Sequence, residues 1–296
     1  MSGAYDLVRA HGPYPARYLN LASGDGILVV DVQAAMEAIE VAGGRNAPAA
    51  AAAAAAVHTD SVKRPSAARE LYARLRACEQ WELCPHGYAT VMSLSASGPQ
   101  RIGPFMVRAP WHDASPDAID ILIQPGLSFG LGTHATTRLP LRQLQEFVKP
   151  GARCADVGCG SGILAIAMAR LGAGAVVAVD VDRTAVSEAS DNVQRNGVAQ
   201  VVSSVSRGSA NALDGAFDVI AANMGGAPSI IEIAPDVAAR LTRGGVFLAS
   251  GIYGDTDEDA ARVADGVSQL IAEFGLMEER REMERQCAGI VYRRTK

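Results

Sequence analysis

The sequence has no surplus of basic charge. Its 27 Lys and Arg face 32 Asp and Glu, for a net charge of −5. That excludes a general affinity for nucleic acid, which needs cations to neutralise phosphates. Even the arginines near the end (Arg280, Arg281, Arg285, Arg293 and Arg294) alternate with Glu278, Glu279, Glu282 and Glu284, as on a solvated face. Cysteine is sparse too. Cys78, Cys84, Cys154, Cys159 and Cys287 are odd in number and scattered, so no disulfide framework is expected. No basic start leads into an apolar run, so no secretory signal is read. The longest uncharged low-complexity run, Ala47 to Val57, is too short and too weakly apolar to span a bilayer. A cytoplasmic, reduced protein without a membrane partner is expected. His11, His58, His86 and His112 show no metal-binding spacing, and Cys78 with Cys84-Pro-His86 lacks a second pair, so no metal site is expected. Aromatics make up only 5% of the chain; Trp81 and Trp111 read as domain-interface packing.

What is present suffices for a full-sized core and a smaller accessory unit, with 296 residues, 49% hydrophobic and 20% charged. The first part is mixed α/β. It holds an apolar patch from Ile27 to Asp31, a helical stretch from Val32 to Val41, and an alanine-rich linker over 43–66. A short amphipathic helix over 67–83 follows, then strand candidates Tyr88 to Leu94, Phe105 to Ala109 and Ala118 to Ile123.

From residue 136 the rhythm becomes regular. Helices are expected at about 136–148, from Gly162 to Leu171, from Thr184 to Arg195, at 229–241 and at 257–274. Strands are expected at Arg153 to Val157, Ala175 to Val179, near 201–206, Phe217 to Ala222, Val246 to Ser250, and near 276–283 and 287–293. This βαβ spacing requires a mainly parallel sheet covered on both faces.

The strongest local motif is Asp156-Val-Gly158-Cys-Gly160-Ser-Gly162, where the first of these strands meets a helix. Glycines there let the backbone turn sharply and let a ligand approach the peptide groups. Dinucleotide enzymes use a glycine-rich turn in the same place, so an NAD-dependent oxidoreductase is the competing class. Here the glycines fall at every second position and Asp156 precedes them by two. A carboxylate beside the loop suits a ligand with a positively charged end rather than a pyrophosphate. Asp180 closes the next strand, where a carboxylate takes ribose hydroxyls. Asp182 reads equally as a second contact or as a helix cap. Asn223, in Ala221-Ala-Asn223-Met-Gly-Gly226, closes the fourth strand facing the substrate crevice. Its amide oxygen can orient an acceptor nitrogen; a plain turn residue is the duller reading.

Together these residues resemble the PrmA family, which methylates large-subunit ribosomal protein eleven. The likeness rests on Pro125-Gly-Leu-Ser-Phe-Gly-Leu-Gly-Thr-His-Ala-Thr-Thr137, on Asp156 to Leu164, and on Asp180-Val-Asp182. Asp191-Asn192 with Asn196-Gly197, Ala222-Asn223, Ser250-Gly251-Ile252 and the upstream run Ile102 to Trp111 extend it over about residues 100–296. The resemblance implies a class I methyltransferase, Rossmann-like seven-stranded mainly parallel sheet that uses S-adenosyl-L-methionine. It implies Thr133 and Thr136 at the methionine end of this donor, Gly158, Gly160 and Gly162 with Asp156 in the binding loop, Asp180 on the ribose, and Asn223 at the donor and the acceptor nitrogen. His134 is a candidate base or acceptor contact, with a structural loop histidine as the alternative. Residues 1–100 are expected to recognise the acceptor, 101–135 to connect, and 136–296 to form the catalytic domain. The family usually has an apolar pair after the asparagine, where this chain has Met224-Gly225-Gly226, and the first hundred residues differ from its small domain. These departures predict an acceptor other than the ribosomal protein, including a small metabolite methylated on nitrogen or oxygen.

Overall fold

The computed structural model describes residues 99–110, 112–124 and 128–295, together with the backbone of 18–23 and 26–31. The expected helices at Val32 to Val41 and 67–83, the linker at 43–66 and the strand at Tyr88 to Leu94 lie outside the described residues, as do Trp81, Trp111 and Cys78 with Cys84 and His86. The chain divides into two compact units, one of residues 1–96, 110–112 and 125–128, the other of 97–109, 113–124 and 129–296.

In the first unit, β1 (Tyr18–Ser23) pairs antiparallel with β2 (Gly26–Asp31), in register from Tyr18 opposite Asp31 to Ser23 opposite Gly26. The apolar patch beginning at Ile27 is thus a strand; its partner β1 carried no clear sequence signal.

The second unit holds two sheets. In the smaller one β3 (Gln100–Ile102) runs antiparallel to β4 (Phe105–Arg108), and β4 runs parallel to β5 (Ile119–Leu122). Arg108 grips Asp120 across the β4–β5 pair with two hydrogen bonds, of 2.6 and 2.9 Å.

The larger sheet contains β6 (Arg153–Val157), β7 (Ala175–Asp180), β8 (Val202–Arg207), β9 (Phe217–Asn223), β10 (Leu241–Tyr253), β11 (Leu276–Glu284) and β12 (Cys287–Arg294), in the order β11-β12-β10-β9-β6-β7-β8. Its five consecutive strands from β10 to β8 are parallel, and β12 is antiparallel to both neighbours. Central strands buried on both faces need near-continuous apolar runs; β9 has one in Val219–Ala222, whereas the buried stretch of β6 is interrupted by Asp156. Five helices cover the sheet: α1 (Ala135–Phe147), α2 (Ile163–Arg170), α3 (Arg183–Arg195), α4 (Ala227–Arg240) and α5 (Asp257–Ile271). One core cluster joins Ile230 and Val237 of α4 and Val267 of α5 to Val157, Ile220, Phe247 and Tyr292. Side chains alternate along a strand, so the intervening residues Cys154, Val176, Val219 and Leu248, also buried, face the opposite layer.

The expected mainly parallel α/β sheet is the one observed. A difference lies in β10, which runs from Leu241 to Tyr253 rather than from Val246 to Ser250. The Gly244-Gly245 pair reads as a break but lies inside β10 as an irregularity, with Gly244 at positive φ (76°) and pairing to β9 shifting between Leu241 and Val246.

Candidate active site

The parallel strands deliver their carboxyl ends to one edge of the sheet, where open α/β sheets bind ligands. At the end of β6 the chain turns through Gly158, Gly160 and Gly162, all with positive φ (70°, 52° and 81°). A side chain at Gly160 would put its Cβ 2.5 Å from the carbonyl oxygen of Phe129. The glycine is therefore required where the 128–134 segment crosses the loop. Ser161 secures that crossing: its N–H donates to the Phe129 oxygen at 3.0 Å and its hydroxyl to the Gly130 oxygen at 2.6 Å.

Two carboxylates sit beneath and beside the loop. Asp156 is 1% exposed; its Oδ2 accepts from the Ala165 N–H at 3.0 Å, within the first turn of α2, while its Oδ1 is buried without a hydrogen-bond partner. Burial, with the nearby Asp180 adding to it, pushes the Asp156 carboxyl up to about 7. The orphaned oxygen below the loop is left to a ligand, and a ligand bearing positive charge would favour the ionised carboxylate there. Asp180 ends β7 half-buried. Its Oδ2 accepts from the Gly160 N–H and its Oδ1 from the Asp182 N–H, both at 3.0 Å. Asp182 accepts from the Thr184 N–H at 2.8 Å as the N-cap of α3, which is the capping reading of that residue.

The threonine-rich segment enters α1. His134 is the N-cap: its Nδ1 accepts from the Thr136 N–H at 3.3 Å and lies 2.9 Å from the Thr136 hydroxyl. Its ring meets Phe129 edge-on at 5.5 Å. Partial burial lowers its pKa. In the tautomer that caps the helix Nδ1 accepts, and the neutral ring then carries its proton on Nε2. Thr133 lies half-buried just before the cap, and Thr136 is buried with its carbonyl accepting from the Ser250 hydroxyl at 2.7 Å.

One contact is not readable from the motifs. Asn223, half-buried at the end of β9, donates its Nδ2 to the fully buried Thr137 hydroxyl at 3.3 Å. In this orientation the amide nitrogen faces the hydroxyl and Oδ1 points away from it. Of the two adjacent threonines, the sequence singled out Thr136; only the rotation of the first helical turn shows that Thr137 is the one aimed at Asn223. The structure thus collects Asp156, Gly158, Gly160, Gly162 and Asp180 around one loop, and joins Asn223 to the segment carrying Thr133, His134 and Thr136. Among the described residues no group of His, Cys, Asp and Glu is arranged to hold a metal, and no helix is long and apolar enough to cross a membrane.

Comparison with known proteins finds similar chains. Residues 91–285 match the family described as ribosomal protein L11 methyltransferase (PrmA). A relative of that name from Symbiobacterium thermophilum is 49% identical over 157 residues, covering 52% of this chain and 51% of the relative. One from Chloroflexus aurantiacus is 38% identical over 221 residues, 66% of this chain and 65% of the relative. A crystal structure of a ribosomal protein L11 methylase from Lactobacillus delbrueckii subsp. bulgaricus superimposes with a TM-score of 0.58 at 29% identity, covering 67% of this chain and 99% of that one. The chain spans about half the length of the first curated relatives it matches.

Proposed function

The chain belongs to the ribosomal protein L11 methyltransferase (PrmA) family, and from that premise we propose that it transfers a methyl group from S-adenosyl-L-methionine to a nitrogen of a protein acceptor. The observation carrying the reading is the Asn223 amide, held by Thr137 so that its oxygen is free at the edge where the glycine loop ends. The donor would supply a methyl group on a sulfonium: the acceptor lone pair bonds to the methyl carbon in line as the carbon–sulfur bond breaks, and the sulfur leaves with that electron pair as a neutral thioether. Gly158, Gly160 and Gly162 let its amino-acid end approach the backbone, Asp156 supplies negative charge beneath that end, and Asp180 takes the ribose hydroxyls in exchange for its present bonds to the Gly160 and Asp182 amides. Thr133 and Thr136 flank the methionine end.

Attack requires a neutral acceptor amine. Asn223 accepts an N–H from that amine through Oδ1 and so turns the nitrogen lone pair towards the methyl carbon. This is a near-attack arrangement, whose value lies in orientation rather than proton transfer. His134 does not serve as the base, because its only proton-accepting nitrogen already takes the Thr136 N–H; the proton leaves to solvent. The relatives' name favours a ribosomal protein as acceptor over the different acceptor expected from the departures at 1–100 and Met224-Gly225-Gly226, and the region before residue 100 is proposed to recognise it. Neither a membrane nor general nucleic-acid binding forms part of the proposal.

Incubation with labelled S-adenosyl-L-methionine and purified ribosomal protein L11 tests it, and label in the protein is the expected result. Label entering small amines or hydroxyl compounds but not the protein would move the acceptor to the small-molecule class. Binding of NAD without binding of S-adenosyl-L-methionine would overturn the donor assignment.

A further inference from the structure

Asn192 on the inner face of α3 and Asn196, the C-cap of that helix, lie one turn apart, exposed to only 1% and 5%. A buried primary amide is costly unless its hydrogen bonds are met, and backbone from other segments meets them here. Asn196 pairs with Leu122 much as a neighbouring strand would. Its Oδ1 accepts from the Leu122 N–H at 2.9 Å, and its Nδ2 donates to the Leu122 oxygen at 2.6 Å. Asn192 reaches in two directions. Its Oδ1 accepts from the Gln124 N–H at 2.9 Å, while its Nδ2 donates to the Ser161 carbonyl at 3.0 Å.

Ser161 is therefore tied on both sides. The stretch leaving the 125–128 segment is bonded to its N–H and hydroxyl directly, and the stretch entering that segment is bonded to its carbonyl through Asn192. The peptide whose carbonyl Asn192 holds also supplies the Gly162 N–H, which donates to the Cys159 oxygen at 2.8 Å and closes the loop. Small residues permit the approach: a Cβ on Gly162 would lie 3.1 Å from that of Ala189, one turn before Asn192.

We propose that Asn192 is a positioning residue of the donor site, its amide holding the Ser161–Gly162 peptide in the orientation that receives the donor. Asn196 caps the same helix and bonds Leu122 at the end of β5 without touching the loop. The inference rests on the assignment of the glycine loop to S-adenosyl-L-methionine.

The test compares Asn192→Asp with Asn196→Asp. In Asn192→Asp the Gln124 bond survives through one carboxylate oxygen, while the other faces the Ser161 carbonyl, so two acceptors repel. Calorimetric titration with S-adenosyl-L-methionine should show an approximately ten-fold loss of affinity in Asn192→Asp, the scale of one buried hydrogen bond. Asn196→Asp should bind within about two-fold of the wild type, although both lower the unfolding temperature. A purely structural role would move the unfolding temperatures and leave the affinity of the folded protein alone. Equal affinity in Asn192→Asp and the wild type, or an equal loss in Asn196→Asp, would overturn the inference. Should Asn192→Asp not fold, Asn192→Ala reads the same way without the added charge. A wild-type chain that binds no donor would instead remove the donor assignment itself, and this inference with it.

Discussion

The two halves of the site edge are built differently. Around the ends of β6 and β7 the loop backbone is tied down repeatedly: Gly158 and Cys159 donate to the Val179 carbonyl, Gly160 to Asp180, and Ser161 is bonded on three sides. Around the ends of β9 and β10 the surface is open. A Cβ on Gly225 would meet nothing within 4 Å, and Tyr253 beyond it is 55% exposed. A ligand entering a preformed loop gives up little ordering entropy, as suits a donor of fixed structure. The open half leaves room for an acceptor whose shape other residues select. Asn223 stands at the boundary, tied to α1 through Nδ2 and free at Oδ1.

The comparison breaks first at Asn223. Asn223→Ala should leave S-adenosyl-L-methionine affinity within about two-fold of the wild type while turnover falls roughly 10²–10³-fold, the usual scale for removing one oriented polar group from a reacting centre. Turnover with L11 and a calorimetric titration check both arms. Normal turnover would return Asn223 to a turn residue.

The tied half should respond in the opposite way. Asp180→Ala should weaken donor binding by about 1–3 kcal/mol, the cost of leaving buried polar partners unmet, and should lower turnover only at subsaturating donor. Titration decides it; an unchanged affinity would take Asp180 out of the site.

The tied half was also the more legible one. Glycines at every second position after Asp156, and an aspartate closing the following strand, are local signals, and the structure brings them around one loop. The open half is made by contacts between segments far apart in sequence. Thr137 is one of two adjacent threonines, and only the turn of α1 aims it at Asn223. Gly251 lies inside β10 at positive φ (86°), where the Met224 carbonyl comes so close that a Cβ would lie 1.7 Å from its oxygen. Asn192 and Asn196 are poor helix formers by intrinsic preference, and what they gain comes from backbone of other segments.

A smaller effect is a pH dependence at Asp156. Asp156 titrates at about 7 in the folded chain against an ordinary 3.8, so the folded state holds a proton that the unfolded state releases. Its contribution to stability is full below the ordinary value and is lost as the pH rises through about 7. Asp156→Asn keeps the site neutral. Its unfolding temperature, relative to the wild type, should therefore climb from acidic to mildly alkaline pH when measured without donor. Addition of the cationic donor should favour the wild type, because only the ionised carboxylate compensates positive charge. A constant difference across pH would show that Asp156 does not titrate in this range.

The smallest expected effect tests His134, which borders both halves through Phe129 and Thr136. As an N-cap it satisfies one backbone N–H of α1, a role asparagine fills as well or better. His134→Ala should cost about 1 kcal/mol of stability, the usual worth of a cap, while His134→Asn should restore most of it. Imidazole protonation would replace the Nδ1 acceptor with a donor facing the Thr136 N–H, so the wild-type cap weakens as the pH falls below the ordinary 6.5 towards its lowered native value. His134→Asn should not show that acid loss. Turnover separates the cap from a base. A cap replaced by asparagine keeps kcat and the shape of its pH dependence, since the proton of the acceptor amine goes to solvent in both proteins. Loss of turnover in His134→Asn, with donor affinity and unfolding temperature intact, would make His134 a proton acceptor and reverse the assignment drawn from its Nδ1 bond.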